Sequence, residues 1–354
     1  MARPNISITC LIPVFFLATV IVAVLIMIGE APSPAPEMES ESTYTKYTTV
    51  TGYFQQDDPA TEDKNFDYTT SNFGLINKSY DGDSDSKTQW EKFGVEVARL
   101  NEQARDGTQY KVLYMGRHGE GYHNVAEAFY GKRDWDCYWS LQDGNETSTW
   151  VDALLTPTGI SQAQEANDFW RRLIVTEKIQ TPQSYYTSPL LRCMATANVT
   201  FSGLPLPSDR PFVPLVNELI RECIGAHTCD RRSSKTIIQK NYPDWPFSEG
   251  FSEEDPLWDA ELRETGEAMD RRLRRAVDEI FGSDKNTWIS ISSHSGAIAS
   301  ILRVLGHQTF SLGTGQVIPV LVKAEKVAGE GPPREKGPYT RVSTCAAPPP
   351  TLSP

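Results

Sequence analysis

The chain has 354 residues, enough for one large domain or two small ones with a core of ordinary size. Its formal net charge of -12 and pI near 5.0 exclude nucleic acid and an anionic membrane face as main partners, because both would be repelled at long range. Any anion it binds needs a local pocket working against that field.

Residues 8–28 carry no charged side chain, and as a helix rising about 1.5 Å per residue they span about 31 Å, close to a bilayer's hydrocarbon core. They predict one transmembrane helix, an uncleaved signal anchor. The rival is a cleaved signal peptide and a secreted protein. Such peptides have apolar regions of only about 7–15 residues, and no small-x-small cleavage site follows Ile28. Arg3 precedes the span, whereas Glu30, Glu37, Glu39 and Glu41 follow it. The positive-inside bias therefore puts residues 1–7 in the cytosol and the bulk of the chain in a lumen or outside the cell. Residues 29–48, with Ala31-Pro-Ser-Pro-Ala-Pro and a Ser/Thr/Glu-rich run, read as a linker too polar to fold. One domain is predicted over 49–326, followed by a disordered Pro-rich tail over 327–354. The sequence shows no internal repeat.

Within the domain, short apolar runs alternate with longer amphipathic stretches. In chain order they predict a strand over Lys111–Met115, a helix over Gly159–Glu177, a strand over Ser184–Tyr186 and a helix over Pro189–Phe201. A strand over Phe212–Val216, a helix over Asp259–Phe281, a strand over Trp288–Ser292, a helix over Ser295–Leu305 and a strand over Val317–Lys323 follow. Alternation of this kind predicts an α/β three-layer sandwich around a largely parallel central sheet, which binds ligands at the carboxyl ends of its strands.

Asn77-Lys-Ser, Asn145-Glu-Thr and Asn198-Val-Thr are glycosylation sequons that suit a lumenal compartment. Of the six cysteines, Cys10 falls in the span and Cys345 in the tail. Cys137, Cys193, Cys223 and Cys229 remain in the body, allowing one or two disulfides and demanding none.

Two of the predicted strand exits carry a histidine: His118 after Val112-Leu-Tyr-Met-Gly-Arg, and His294 after Trp288-Ile-Ser-Ile-Ser-Ser. At a third exit, Ser188 suits a helix N-cap, Pro189 the first helical position, and Arg192 the first turn. If neighbouring strands carry these exits, Arg117, His118, Arg192 and His294 converge on one small volume. A basic cluster inside an acidic chain calls for a dianion.

Arg117-His118-Gly119 with Asn124, Leu155-Thr-Pro-Thr-Gly-Ile-Ser-Gln-Ala163, Thr187-Ser-Pro-Leu-Leu-Arg192 with Thr196, and Ser293-His294-Ser-Gly296 resemble, in order, the motifs of the histidine phosphatase superfamily, also called phosphoglycerate mutase-like. One Arg-His-Gly is a weak signal, whereas four motifs in order are a strong one. Gly52-Tyr-Phe-Gln-Gln-Asp-Asp-Pro59, Asn72-Phe-Gly-Leu75 and Gly225-Ala-His-Thr-Cys-Asp-Arg-Arg232 extend the resemblance to a fungal phosphoglycerate mutase-like branch.

The resemblance implies a phosphoglycerate mutase-like fold and a metal-independent phosphoric monoester hydrolase with no cofactor. In it a neutral His118 takes the phosphoryl group, Arg117 and Arg192 clamp its oxygens, and His294 and Asn124 add donors. A Glu shortly before a Gly in Glu218-Leu-Ile-Arg-Glu-Cys-Ile-Gly225 makes Glu222 the acid for the leaving oxygen, with Glu218 and then Glu120 behind it. His123 and His227 are candidates for choosing the substrate, and Arg231 and Arg232 for a second anion subsite or a solvated charge pair. Thr196 and Gln162 read as structural. Cys223, His227 and Cys229 lack a paired Cys-x-x-Cys and offer only three ligands, so no metal site is assigned. The Arg271 to Arg275 cluster, interleaved with acids, reads as a salt-bridged solvent face.

The expected protein is thus a membrane-anchored phosphomonoesterase for a small phosphorylated substrate. A phosphoglycerate-type mutase and a catalytically silent phospho-ligand-binding protein are the alternatives. The mutase fits less well because Glu120-Gly-Tyr-His-Asn124 stands where mutases of the family usually show Glu-Ser with a Trp shortly before the Asn. Which ester, which organelle and which oligomeric state are not written in the sequence.

Overall fold

The computed structural model describes residues 42–80, 86–345 and 348–349. The predicted span at 8–28 and Cys10 lie outside them. Among the described residues no helix is long and apolar enough to cross a membrane.

The strands are β1 (Thr43–Thr49), β2 (Thr108–Arg117), β3 (Ser184–Thr187), β4 (Leu215–Val216), β5 (Leu262–Glu264), β6 (Trp288–Ser293), β7 (Val317–Ala328) and β8 (Tyr339–Arg341). The helices are α1 (Gln89–Glu102), α2 (Tyr122–Tyr130), α3 (Lys132–Cys137), α4 (Pro157–Arg172), α5 (Leu191–Phe201), α6 (Lys235–Asn241), α7 (Gly266–Ser283) and α8 (Ser295–Val304). Six strands form one sheet in the order β1-β7-β2-β6-β3-β4. The β2–β6, β6–β3 and β3–β4 pairs are parallel, and β7 alone runs against its neighbours. The largely parallel sheet of the prediction is therefore present.

A sheet of this kind must be covered on both faces, and the alternation along β2 shows how. Leu113 and Met115 join a cluster with Leu273, Val277 and Ile280 of α7 and Ile298 and Ile301 of α8. Val112 and Tyr114 point the other way, into a cluster with Trp90 and Phe93 of α1, Phe169 and Trp170 of α4, and Phe201 of α5. With period 2 along the strand, one continuous apolar run thus serves two cores. The result is three layers.

Several boundaries differ from the sequence reading. The predicted linker ends early, because Thr43–Thr49 pairs antiparallel with Val322–Ala328 and buries Tyr47 and Thr49. A run of threonines and tyrosines suits a pleated edge strand better than a tether. The predicted disordered tail over 327–354 is likewise corrected up to Cys345. Tyr339–Arg341 pairs with Leu262–Glu264, the Pro338 carbonyl accepts from Thr265, and Cys345 is disulfide-bonded to Cys137. Proline breaks a helix interior but not an extended strap held at both ends. The helix predicted over Asp259–Phe281 begins only at Gly266, capped by the Thr265 hydroxyl, because β5 takes up the preceding residues. The strand predicted over Phe212–Val216 shrinks to two residues, as Pro214 has no N–H to give a ladder.

Candidate active site

Because β2, β6 and β3 are adjacent and parallel, their carboxyl ends open side by side. The chain leaves β2 at Arg117, β6 at Ser293 and β3 at Thr187, so His118, His294 and Ser188 become neighbours. The His118 N–H donates to the Ser293 carbonyl and the Ser188 N–H to the Ser292 carbonyl, each at 3.0 Å. Of the four residues predicted to converge, Arg117, His118 and Arg192 line one cavity of about 220 Å³, together with Glu222, His123, Asn124 and His227, whereas His294 does not.

His118 is 3% exposed. Its Nδ1–H donates to the Gly119 carbonyl at 2.7 Å, which fixes the tautomer, and its Nε2 has no hydrogen-bond partner among the described residues. Burial, with Arg192 and Arg117 beside it, holds the imidazole well below its usual range. It is a neutral base with a free lone pair at neutral pH. His294 is fully buried and does not line the cavity; its ring centroid lies 5.1 Å from that of His118. Its Nε2 shares a hydrogen bond with the Ser188 hydroxyl at 2.8 Å, and burial holds this ring neutral too. That hydroxyl, predicted as the N-cap of α5, is therefore used elsewhere. The helix starts at Leu191, and Asp152 Oδ1 accepts from the Leu191 N–H instead.

The two clamp arginines differ. Arg192 is buried, with Nη1 donating to the Cys229 carbonyl at 2.5 Å and Nη2 paired with Asp230 Oδ1 at 2.9 Å. Burial opposes its charge, but Asp230, with smaller contributions from Cys229, Cys193 and Asp152, outweighs it in sum and holds the guanidinium above its ordinary range. Arg117 donates through Nη1 to the Leu312 carbonyl at 2.6 Å but forms no ion pair among the described residues, and burial lowers its pKa. The Nε of each arginine is buried without a partner. Donors left free in this way are what an anion needs.

Glu222 accepts from the Gly296 N–H at 2.9 Å and the Cys223 N–H at 3.0 Å, while burial and then Asp230 push its carboxyl up. A Cβ at Gly296 would stand 2.2 Å from Glu222 Oε1, so the glycine in Ser293-His-Ser-Gly is space for the carboxyl. The rival acids are occupied: Glu218 binds Arg221 and Arg232, and Glu120 Oε1 accepts from the Thr156 hydroxyl at 2.6 Å. Asn124 Oδ1 accepts from the Gly121 N–H at the start of α2, which leaves its amide hydrogens for the cavity. His123 is buried with Nδ1 unpartnered and is held well below its usual range by burial, with Arg192 adding to it; burial likewise pushes His227 down to about 4.

Thr196 and Gln162 are structural as predicted. Thr196 Oγ accepts from the Gly119 N–H, and Gln162 Oε1 accepts from the Glu120 N–H. Gly119 itself makes room for protein: a Cβ there would meet the Gly159 carbonyl oxygen at 2.3 Å. Arg232 is consumed by Glu218 and four carbonyls, and Arg231 pairs with Asp143, so neither forms a second anion subsite. Asn77, Asn145 and Asn198 are all exposed.

The sequence reading missed Asp230, Arg263 of β5, and the α3 wall of Lys132, Trp135 and Asp136. His227, Cys229 and Asp230 could approach one cation, but Asp230 is engaged by two guanidiniums and burial pushes the Cys229 thiol far up. A cation there would displace both arginines. A larger cavity of about 520 Å³ lies beside β4 and has Glu218, Glu249 and Glu279 among its lining and no arginine, lysine or histidine, which suits no phosphate.

Residues 113–315 match the model of the histidine phosphatase superfamily, branch 1. A "Probable phosphoglycerate mutase" of Arthroderma benhamiae is 51% identical over 79% of this chain and 84% of its own length. "Phosphomutase-like protein 3" of Candida albicans is 33% identical over 87% and 89% respectively. Among solved structures, a mycobacterial glucosyl-3-phosphoglycerate phosphatase is 18% identical and covers 59% of this chain and 92% of its own, with a TM-score of 0.36.

Proposed function

The chain belongs to the histidine phosphatase superfamily, and from that premise we propose that it is a phosphomonoesterase working through a phosphohistidine on His118. The observation that carries this is the fixed tautomer: Nδ1 is committed to the Gly119 carbonyl, so Nε2 is free beside two guanidiniums. The Nε2 lone pair attacks phosphorus, the bond to the ester oxygen breaks, and that oxygen takes the proton held by Glu222. The Glu222 carboxylate then takes a proton from water, whose oxygen attacks phosphorus. The P–N bond breaks, and inorganic phosphate leaves. Arg117 and Arg192 offer forked N–H groups to the equatorial oxygens, Asn124 a neutral donor, and His294 backs the nucleophile. Each of these groups is a fixed dipole or charge and needs no reorganisation during the step. His123 and His227 face the leaving group. The substrate is small, since about 220 Å³ admits a phosphoryl group and a short alcohol.

The uncharged run at 8–28 and the exposed sequons support a domain held by a membrane anchor in a lumen or outside the cell, glycosylated at Asn77, Asn145 and Asn198. Full-length chain in detergent, incubated with p-nitrophenyl phosphate and EDTA, should release phosphate, and His118→Ala should abolish release by at least about a thousandfold. Release undiminished in His118→Ala would sink the mechanism. Faster interconversion of phosphoglycerates than hydrolysis would make the chain a mutase, and phosphate-dependent stabilisation without turnover a binding protein.

A further inference from the structure

An anion pocket with a buried aspartate in its wall is a contradiction to be explained. Asp230 is 3% exposed and lines the cavity. Its Oδ1 lies 2.9 Å from Arg192 Nη2 and its Oδ2 3.3 Å from Arg263 Nη2, so one carboxylate bridges two guanidiniums from different elements. The preceding carbonyl, of Cys229, receives Arg192 Nη1. Both terminal nitrogens of Arg192 are thus fixed by a single two-residue segment, while its Nε stays unpartnered. We propose that Asp230 is a positioning residue of the phosphoryl site: it orients Arg192 through its bridge to Arg263 and, lining the same cavity as Glu222, stands as a negative neighbour to that acid.

The same charge therefore has two effects. It lowers the attraction of Arg192 for phosphate somewhat, and it helps the Glu222 carboxyl hold its proton. The charged groups facing Glu222 are Asp230, Arg192, Arg117 and Arg263; the thiols of Cys193, Cys223 and Cys229 are pushed up by burial and stay neutral. Burial raises the Glu222 carboxyl first and the Asp230 charge raises it further, while Arg192 opposes; Glu127, Lys132 and Asp136 line the same cavity. Arg263 partly neutralises Asp230 and so sets how strongly that carboxylate is felt.

The inference rests on the phosphatase reading for its kinetic test, and a second readout stands apart from turnover. In Asp230→Asn the amide keeps an acceptor for Arg192 but removes the charge. A general acid must be protonated, so activity falls as pH rises through its pKa. Loss of the negative neighbour lowers that pKa, and the basic limb of kcat for glycerol 2-phosphate should move acidward by about one pH unit, a roughly tenfold loss on the falling side. With p-nitrophenyl phosphate, whose leaving group needs no proton, the limb should not move. Arg263→Gln frees the Asp230 charge and should move the glycerol phosphate limb the opposite way. If Asp230→Asn fails to fold, the double variant Asp230→Asn/Arg263→Gln, which removes the carboxylate together with its partner, carries the test: its limb should lie acidward of that of Arg263→Gln. The protonated-carboxyl stretch in the infrared that disappears in Glu222→Gln should titrate with the same shifts, whether or not the chain turns over. A uniform drop in activity with the limb and the stretch in place would overturn the proposal and leave Asp230 merely structural. Absence of any turnover in the parent would sink the phosphatase reading, while the infrared shift would still decide this one.

Discussion

Replacing Arg117 by Met separates what the site costs from what it does. Arg117 is a largely buried cation that, among the described residues, donates to the Leu312 carbonyl and has no carboxylate paired to it. Methionine forfeits a charge-assisted hydrogen bond worth about 1.5–3 kcal/mol. It also removes the desolvation of an unpaired ion, several kcal/mol when burial is complete and less here, where the side chain keeps some contact with the cavity. The balance should leave Arg117→Met about 1 kcal/mol more stable than the parent in phosphate-free urea titrations. Inorganic phosphate at about a hundred times its Kd should then add about 2.7 kcal/mol to the parent and little to the variant, reversing the order. Turnover should fall at least about a hundredfold. Arg192→Met should behave oppositely: it strands Asp230 with only Arg263 at 3.3 Å and should cost about 3–5 kcal/mol with or without phosphate. If Arg117→Met is clearly less stable than the parent without phosphate, or is stabilised by phosphate as much as the parent, Arg117 is an ordinary structural cation.

Two further outcomes are expected. Cys345→Ser opens a disulfide between residues 208 apart, so urea midpoints should report a loss of about 2–4 kcal/mol, abolished as a difference when both proteins are reduced. Because the bond holds the end of α3, which brings Lys132, Trp135 and Asp136 to the cavity, KM should rise while kcat stays within about twofold; an unchanged KM would detach the strap from the site. His118, His123, His227 and His294 are all held below the usual imidazole range, chiefly by burial. The unfolded chain therefore binds more protons below about pH 6.5, and stability should be full above that pH and fall as pH drops, by up to about 1.4 kcal/mol per unit per histidine. A melting temperature flat between pH 7 and 5 would contradict these neutral rings.

The centre of the site is legible in the sequence because each part follows a strand, and adjacent parallel strands bring their ends together by topology alone. Arg117, His118, Arg192 and His294 need no long-range guess beyond strand order. Glu222, Asp230 and Arg263 are different, since they lie on irregular chain, a single 3-10 turn and a three-residue strand, where periodicity says nothing. The choice of Glu222 came from the family pattern, and Asp230 and Arg263 had no signal of their own. Asp230 might have been suspected as the acid beside Arg231 and Arg232, yet those two turn away into other pairs. Helix α1 is a miss of another kind: Trp90, Phe93 and Val97 have helical spacing, and Thr88 with Glu91 forms a capping box, so its signal is present in the sequence. Strands β1 and β8 were hidden by composition, because Thr, Ser and Pro mark both tethers and edge strands until a partner is known.

The order of the sheet also says when the domain can close. Strand β1 has β7 as its strand partner in the sheet, with Thr49 opposite Val322, and β7 also fills the gap between β1 and β2. A chain emerging from a ribosome at about 5–20 residues per second must hold its first strand unpaired for on the order of 15–60 s until its last long strand arrives. Neither of the two aromatic and aliphatic cores can be sealed earlier, since β7 gives Val320 and Val322 to one and Leu321 to the other. Throughout that interval both cores stay open, and their apolar side chains are what chaperones must shield.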